Sequence, residues 1–149
     1  MRLFLTLVFW LSFLPPLAAD DLKAGAAKVD ITPPVGYAMW GYGARHDSPS
    51  VGVLDPLWAR ALVLGVGNEK IALVSLDLGR APPRQSTQAI RAKVKDAAGI
   101  DHIFLCASHT HHGPVLELDN WPDAKHSYVH DLEQKLADVI IEADKSLRS

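Results

Sequence analysis

The chain has 149 residues, which is the length of one ordinary domain. Hydrophobic residues make up 48% of it and charged residues 21%, and this composition excludes a disordered or fibrous protein. Lys and Arg total 15 against 17 Asp and Glu, so the chain lacks the basic excess of a nucleic-acid-binding protein. A lone cysteine, Cys106, excludes an internal disulfide framework and a thiolate-rich zinc site.

The amino-terminal segment has the pattern of an export signal. A short positive start is followed by an almost unbroken apolar run over residues 3–14, then by two prolines and small residues that end at Ala19. The run is too short to span a bilayer, so it predicts a signal peptide over residues 1–19, with an uncleaved membrane anchor as the alternative. We therefore expect a secreted or periplasmic protein whose mature part is residues 20–149.

The first half of the mature chain predicts three strands and a long loop. Residues 24–31 predict a short strand that ends where consecutive prolines forbid its continuation. Residues 35–56 are rich in Gly, Pro, Ser and aromatic residues and predict a long loop, a kind of segment that often carries function. The apolar runs 58–66 and 70–76 flank a Gly-Asn-Glu turn and predict a β-hairpin. Because both runs are apolar on both faces, we expect a sheet that is covered on both sides.

The second half predicts a strand between two helices. Apolar residues that include Ala97 recur at helical spacing over residues 84–98, and Gly99 marks the end of that helix. Residues 102–107 predict a buried strand, so strand, helix and strand form a βαβ unit with parallel strands. Residues 124–147 predict a long amphipathic helix. The expected fold class is α/β (α+β), a mixed sheet with a hairpin, a βαβ unit and flanking helices; its few strands indicate a truncated domain.

The segment that carries chemistry follows strand 102–107 and holds three of the seven histidines within four positions. Proteins of the α/β class place their active sites at the carboxyl ends of strands. Because alternate side chains of extended backbone share a face, we expect His109 and His111 to point into one cleft and His112 to turn away. Neutral imidazoles are good zinc ligands, so the pair predicts a metal site, with polar loop histidines that bind no metal as the alternative.

Five short motifs occur in order along the mature chain. They are Ala24-Gly25 with Val29-Asp30-Ile31-Thr32-Pro33, Gly41-Tyr42, Asp55-Pro56-Leu57-Trp58-Ala59-Arg60-Ala61, Ser75-Leu76-Asp77 and Ser108-His109-Thr110-His111-His112-Gly113-Pro114. Together they resemble the amino-terminal catalytic region of the neutral (non-lysosomal) ceramidase family. The last motif is the most specific, since it is similar to the family signature T-H-T-H-S-G-P.

The resemblance implies a zinc-dependent amidohydrolase that cleaves the N-acyl bond of ceramide, or of a related lipid amide, with a zinc-activated water. It implies that His109 ligates Zn²⁺ and that His111 is a catalytic residue beside the substrate, which it binds or polarises. The family's other ligands, a second His, a Glu and a Tyr, come from later in its chain, as does a catalytic Ser, so we expect this chain alone to be inactive. His112 replaces the family's Ser, and Val115 replaces a glycine-rich continuation, so other amide or ester substrates stay open.

Two aromatic residues of the long loop, Trp40 and Tyr42, are expected to bind substrate by lining a groove that accepts a lipid. Packing within the loop is the alternative. The implied partner is a lipid amide, with peripheral contact at a membrane surface, and no nucleic acid is expected. Two further residues have structural interpretations: Arg60 is expected to be buried and paired with Asp30 or Asp77, and Cys106 to be an inert buried thiol.

Two other function classes stay open at this point. In one, a different metallohydrolase completes its His-x-His metal site inside this chain with Asp77, Glu117 or Asp119. In the other, an exported binding domain without catalytic activity uses the aromatic loop. Tight stoichiometric zinc in the isolated chain would favour the first class, and indifference to the substitution His109→Ala would favour the second.

Overall fold

The computed structural model describes residues 20–45, 48–116 and 127–149. Within them four strands form one sheet in the order β1-β2-β3-β4, with β1 Lys23–Asp30, β2 Trp58–Val66, β3 Glu69–Leu76 and β4 His102–Ala107. A short 3-10 helix, Gly43–Arg45, lies between β1 and β2. The expected signal peptide, residues 1–19, lies outside the described residues.

The first three strands pair antiparallel, so the predicted hairpin of β2 and β3 is confirmed. Only Gly67 and Asn68 separate these two strands. Gly67 has φ 56°, a left-handed conformation that glycine adopts without steric cost. Because so short a turn sets the register, Val63 pairs with Ala72 and both face the core.

The connection from β3 to β4 is the predicted βαβ unit. Helix α1, Arg84–Ala98, joins two strands that pair in parallel, with Val74 opposite Leu105. Gly99 ends the helix with φ 67°, and its N–H donates a 2.9 Å hydrogen bond to the Lys95 carbonyl. The helix boundaries predicted from the sequence are therefore confirmed.

The buried side of α1 differs in one detail from the sequence prediction. Ser86, Ile90 and Val94 form its buried stripe. Ala97, which the sequence pattern places on the inward side, is exposed. The stripe advances in steps of four residues and continues to the half-buried Ala98, so Ala97 turns to solvent.

The second predicted helix is α2, Ser127–Lys145, and the three predicted residues before it lie outside the described residues. It packs against β1, β2 and α1, so both helices contribute to one core on the same face of the sheet. Near its start the Tyr128 hydroxyl donates a 2.6 Å hydrogen bond to the Ile31 carbonyl. In the part of the chain that the structure describes, no helix combines the length and apolar character needed to cross a membrane.

The opposite face of the sheet is open within the described residues, so the prediction of a sheet covered on both sides is wrong there. Both helices lie on one face, and alternate side chains of the strands therefore point away from them. Leu62, Leu73 and Phe104 on the open face are 37%, 38% and 55% exposed. Cys106 projects from the same face and is exposed, which corrects the expectation of a buried thiol.

The charge in the middle of β2 is paired as predicted, but it is not buried. Arg60 Nη1 lies 3.0 Å from Asp77 Oδ2, and its side chain is 51% exposed because it projects from the open face. The backbone N–H of Trp58 donates to the same Asp77 oxygen at 3.0 Å. Asp30 instead accepts hydrogen bonds from Thr32, and these hold the pKa of Asp30 below its ordinary value. The bond from the Thr32 side chain lowers the pKa most, and the bond from the Thr32 backbone N–H lowers it next.

Candidate functional site

The histidine segment begins where the parallel strands β3 and β4 end. The Ser108 N–H donates to the Leu76 carbonyl at 2.9 Å, and the His109 N–H donates to the Leu78 carbonyl at 3.0 Å. The segment therefore stays paired with the chain leaving β3 for two residues beyond the end of β4. This pairing places His109 at the carboxyl edge of the sheet, where open α/β sheets carry their sites.

His109 has a strained backbone and a ring with a defined hydrogen bond. Its φ is 63°, and among the described residues it is the only non-glycine with a positive φ. Its Nδ1 lies 3.1 Å from the Gly79 carbonyl oxygen. Since a carbonyl only accepts, Nδ1 carries the proton in this contact, and a neutral ring then presents its lone pair at Nε2. The geometry leaves a nitrogen that can bind a metal.

His109 and His111 lie together, although not for the reason the sequence suggested. Their ring centroids are 5.2 Å apart. The expectation rested on alternation along extended backbone, but His109 is left-handed and His111 and His112 lie in a turn. The turn, and not strand geometry, brings the two rings together. His112 is exposed, and its ring centroid lies 6.2 Å from that of Tyr42.

Trp40 and Tyr42, from the loop between β1 and β2, lie against the two imidazoles. The Trp40 ring is 4.9 Å from that of His109 and 5.0 Å from that of His111. The Tyr42 ring is 4.9 Å from that of His111. All three contacts are edge-to-face, a favoured arrangement for rings. The structure thus brings together the four residues that the sequence singled out, and we call them the ring cluster.

Backbone hydrogen bonds hold the aromatic loop to the histidine segment. The Trp40 N–H donates to the Gly113 carbonyl at 2.9 Å, and the Val115 N–H donates to the Ala38 carbonyl at 3.0 Å. Two segments that are far apart in sequence therefore meet through paired backbone. The position of Trp40 over the imidazoles follows from this pairing.

Arg45 is a component of the site that sequence reasoning did not find. Its Nη1 donates to the His111 carbonyl at 2.8 Å and to the Trp40 carbonyl at 3.2 Å. Its guanidinium also lies over the Tyr42 ring, 5.0 Å from the centroid. One side chain thus contacts three members of the ring cluster. An isolated arginine in a loop carries no local signal of such a role.

Two glycines provide the space that the rings occupy. A Cβ at Gly79 would overlap the indole of Trp40. A Cβ at Gly41 would lie 2.7 Å from the Cβ of His111, and Gly41 also has φ 119°. In the sequence, Gly41 and Gly79 are marked only by lying close to candidate site residues. That position does not predict that either glycine makes room for a ring.

The described residues do not complete a metal site. They contain no group of three or more His, Cys, Asp or Glu side chains placed to hold a metal ion. Asp77, one candidate for completing the site, is bonded to Arg60 and to the Trp58 backbone. The other two candidates, Glu117 and Asp119, lie outside the described residues.

A groove of about 550 Å³ opens beside the histidine segment. One wall includes Thr110 and His112, and the aromatic loop contributes Arg45. The aliphatic residues Val51, Val53, Leu54 and Leu57 also line the groove, together with Asp55. Its volume lies in the range of small-molecule sites.

Comparisons with known proteins place this geometry in context. The neutral ceramidase of Pseudomonas aeruginosa is 31% identical to the chain over 107 residues, which are 66% of this chain and 16% of that relative. The crystal structure of neutral ceramidase from Pseudomonas aeruginosa matches with a TM-score of 0.73 at 22% identity, over 87% of this chain and 22% of that one. A ceramidase complexed with C2 matches with a TM-score of 0.65 at 23% identity, with the same coverage. No family model matches the chain.

The matches agree with the order of motifs in the sequence. At identities of 22% and 23% the two structures show a shared fold, a mixed sheet with two helices, and the sequence match supports the family for the matched region. The chain spans less than a quarter of the length of the relative in each of these three matches. Over that partial region the comparisons support assignment to the neutral ceramidase family, and the resemblance drawn from its motifs is confirmed.

Proposed function

We propose that this chain is part of an exported, zinc-dependent amidohydrolase of the neutral ceramidase type, which hydrolyses the N-acyl bond of ceramide or a related lipid amide. The observation that supports it most is the His109 ring, whose Nδ1 is bonded to the Gly79 carbonyl while Nε2 is free of that contact. Histidines that bind metals almost always donate their other ring N–H in this way. The second imidazole, His111, lies 5.2 Å away, centroid to centroid.

The donor chemistry fits zinc, and His109 is the residue that would hold it. A catalytic zinc takes about three protein ligands and keeps one position for water. The described residues offer fewer than that, so the remaining ligands would come from elsewhere in the polypeptide. When bound, the ion supplies an activated water and polarises the carbonyl of the amide.

His111 would act on the substrate in this proposal. Its ring is half-buried and sits against Tyr42 and Trp40, and its carbonyl is held by Arg45. An imidazole fixed in this way can donate or accept a hydrogen bond at the amide being cleaved. The rings of Trp40 and Tyr42 then offer apolar edges to the adjoining part of a lipid substrate.

Histidine NMR and zinc titration test the metal part of the proposal. We expect the ring nitrogens of His109 to show the Nδ1–H form, and the Nε2 resonance of His109 to move on addition of zinc. The substitution His109→Ala should weaken zinc binding by about ten-fold or more. His102→Ala, at an exposed ring on the first residue of β4, is the matched control and should leave zinc binding unchanged.

Hydrolysis of a short-chain ceramide tests the catalytic part, in this chain and in any longer natural polypeptide that contains it. His111→Ala should reduce hydrolysis in the longer form by about 100-fold while zinc content is kept. Retained hydrolysis after His109→Ala, or after removal of metal with a chelator, contradicts the proposal. Tight stoichiometric zinc in this chain alone would instead favour a metal site completed within it.

A further inference from the structure

The apolar tip of the loop between β1 and β2 is exposed to an unusual degree. Val51 is 97% exposed and Leu54 is 98% exposed, while Val53 between them is 53% exposed. Residues 48–54 include no charged side chain. Aliphatic side chains left this open to water within one short segment suit contact with an apolar partner.

Both ends of this tip are fixed to the body of the protein. The Ser50 N–H donates to the Tyr37 carbonyl at 2.8 Å, and Gly36 donates back to the Ser50 carbonyl at 2.9 Å. At the other end the Ile31 N–H donates to the Leu57 carbonyl at 2.9 Å. The tip is therefore a ridge held between two anchored points.

The ridge also forms one wall of the groove beside the histidines. Val51, Val53 and Leu54 line the groove of about 550 Å³ that Thr110 and His112 also line. A partner that covers the ridge therefore lies at the mouth of the groove. The open sheet face does not share this groove, since Leu62 and Leu73 line a different cavity.

We propose that residues 51–54 insert into the interfacial region of a lipid bilayer and place the groove against the membrane, so that a lipid amide enters it directly. The inference rests on the proposed function for the nature of the substrate. The side chains are aliphatic and lack donors and acceptors, as suits contact with acyl chains. The charged groups nearby, Arg45 and Asp55, have opposite signs, so a zwitterionic surface fits as well as an anionic one.

A fluorescent label tests whether the ridge enters the bilayer. The environment-sensitive dye NBD is attached to Leu54→Cys in a Cys106→Ser background, and phosphatidylcholine vesicles are added without metal or ceramide. The control is the unaltered chain labelled at Cys106, which is exposed on the open sheet face. We expect a blue shift and a several-fold rise in emission at position 54 and little change at 106. No shift at 54, or equal shifts at both positions, overturns the proposal.

Vesicle sedimentation provides a second, independent readout. Val51→Ser with Leu54→Ser should weaken binding to phosphatidylcholine vesicles by about ten-fold or more. The matched double substitution Leu62→Ser with Leu73→Ser, on the open sheet face, should leave it unchanged. Binding by the ridge variant equal to that of the unaltered chain overturns the proposal. Because neither measurement uses zinc or substrate, a failure here leaves the proposed hydrolysis intact, and loss of hydrolysis on His109→Ala leaves the membrane contact intact.

Discussion

The indole of Trp40 occupies the space that any side chain larger than hydrogen at Gly79 would fill. Gly79 is also the residue whose carbonyl accepts the hydrogen bond from the His109 ring. The same position therefore sets both the place of the indole and the orientation of the imidazole. This coupling makes Gly79 a sensitive point for the ring cluster.

Gly79→Ala should displace the Trp40 indole and destabilise the fold by about 1–3 kcal/mol, because a rigid ring cannot give way to a new methyl group. Urea unfolding measures the loss, and the tryptophan emission spectrum reports the displaced indole. Gly43→Ala is the matched control, since a Cβ at Gly43 meets no atom within 4 Å. Equal stability of the two variants would show that the indole does not depend on this space.

Arg45→Ala should loosen the aromatic loop from the histidine segment. Removing the guanidinium leaves the carbonyls of His111 and Trp40 without their shared donor, at a cost of about 1–3 kcal/mol. Arg45→Lys keeps the charge but not the planar fork, so it should restore only part of the loss. Urea unfolding and the His111 ring resonances provide the measurement. An alanine variant as stable as the unaltered chain, with unmoved His111 resonances, would remove Arg45 from the site.

Ser86→Ala should stabilise the protein by about 1 kcal/mol. Ser86 is fully buried in α1, and within the described residues its Oγ has no hydrogen-bond partner. Alanine also has the higher helix propensity. Thermal and urea unfolding test the expectation, and Ser86→Val, which adds volume to a filled site, serves as the contrast. A loss of stability on Ser86→Ala would reveal a partner for the hydroxyl.

We expect the folded chain to lose stability at high pH, because the buried Tyr128 phenol then loses its proton. Burial, followed by the nearby Tyr37 and Asp30, raises the pKa of the Tyr128 phenol well above its ordinary value. The folded chain therefore holds this proton more tightly than the unfolded chain. The stabilisation is complete below the unfolded pKa of about 10 and is lost as the pH rises through and above that value.

Tyr128→Phe tests this assignment. The variant leaves the Ile31 carbonyl without its donor and should lose about 1–3 kcal/mol at pH 7. Its stability should then fall less steeply above about pH 10 than that of the unaltered chain. The fall should not vanish, because burial also raises the pKa of Tyr37. Parallel pH profiles of the two proteins would count against the phenol as the titrating group.

We expect Asp77 to stabilise the fold through its hydrogen bonds and to take no part in binding zinc. Asp77→Ala removes the acceptor for both the Trp58 N–H and the Arg60 guanidinium and should cost about 1–2 kcal/mol. Arg60→Ala should cost less than about 1 kcal/mol, since that side chain is half exposed. Chemical unfolding gives both values, and zinc binding should be the same in the two variants. A selective loss of zinc in Asp77→Ala would reassign Asp77 to the metal site.

Local patterns were sufficient for the order and bounds of most elements. The helix 84–98 and the strand 102–107 were predicted at the bounds observed, because helical spacing, a terminating glycine and an apolar run are all properties of neighbouring residues. The hairpin turn at Gly67 was found for the same reason. The parallel pairing of β3 and β4 followed from the helix between them, since parallel strands need such a crossover.

The histidine motif predicted which residues would meet, but not how. His109 and His111 are close because a left-handed residue begins a turn, and that conformation depends on the Gly79 carbonyl and on pairing with the chain that leaves β3. Arg45 and Gly79 were missed because their partners lie 66 and about 40 positions away in sequence. Such contacts form only after the chain has folded, and no local pattern encodes them.

Composition and periodicity were thus enough to predict the fold class, because those properties depend on each residue's own chemistry and on its near neighbours, and the order of motifs carried the resemblance to a family. Which face of the sheet is covered, where Cys106 and Arg60 point, and how four rings come to share one site were decided by the packing of distant segments. The reason is physical: the residues of a strand do not specify which distant segment will bury their side chains or accept their hydrogen bonds, and only the packing of the whole fold decides this.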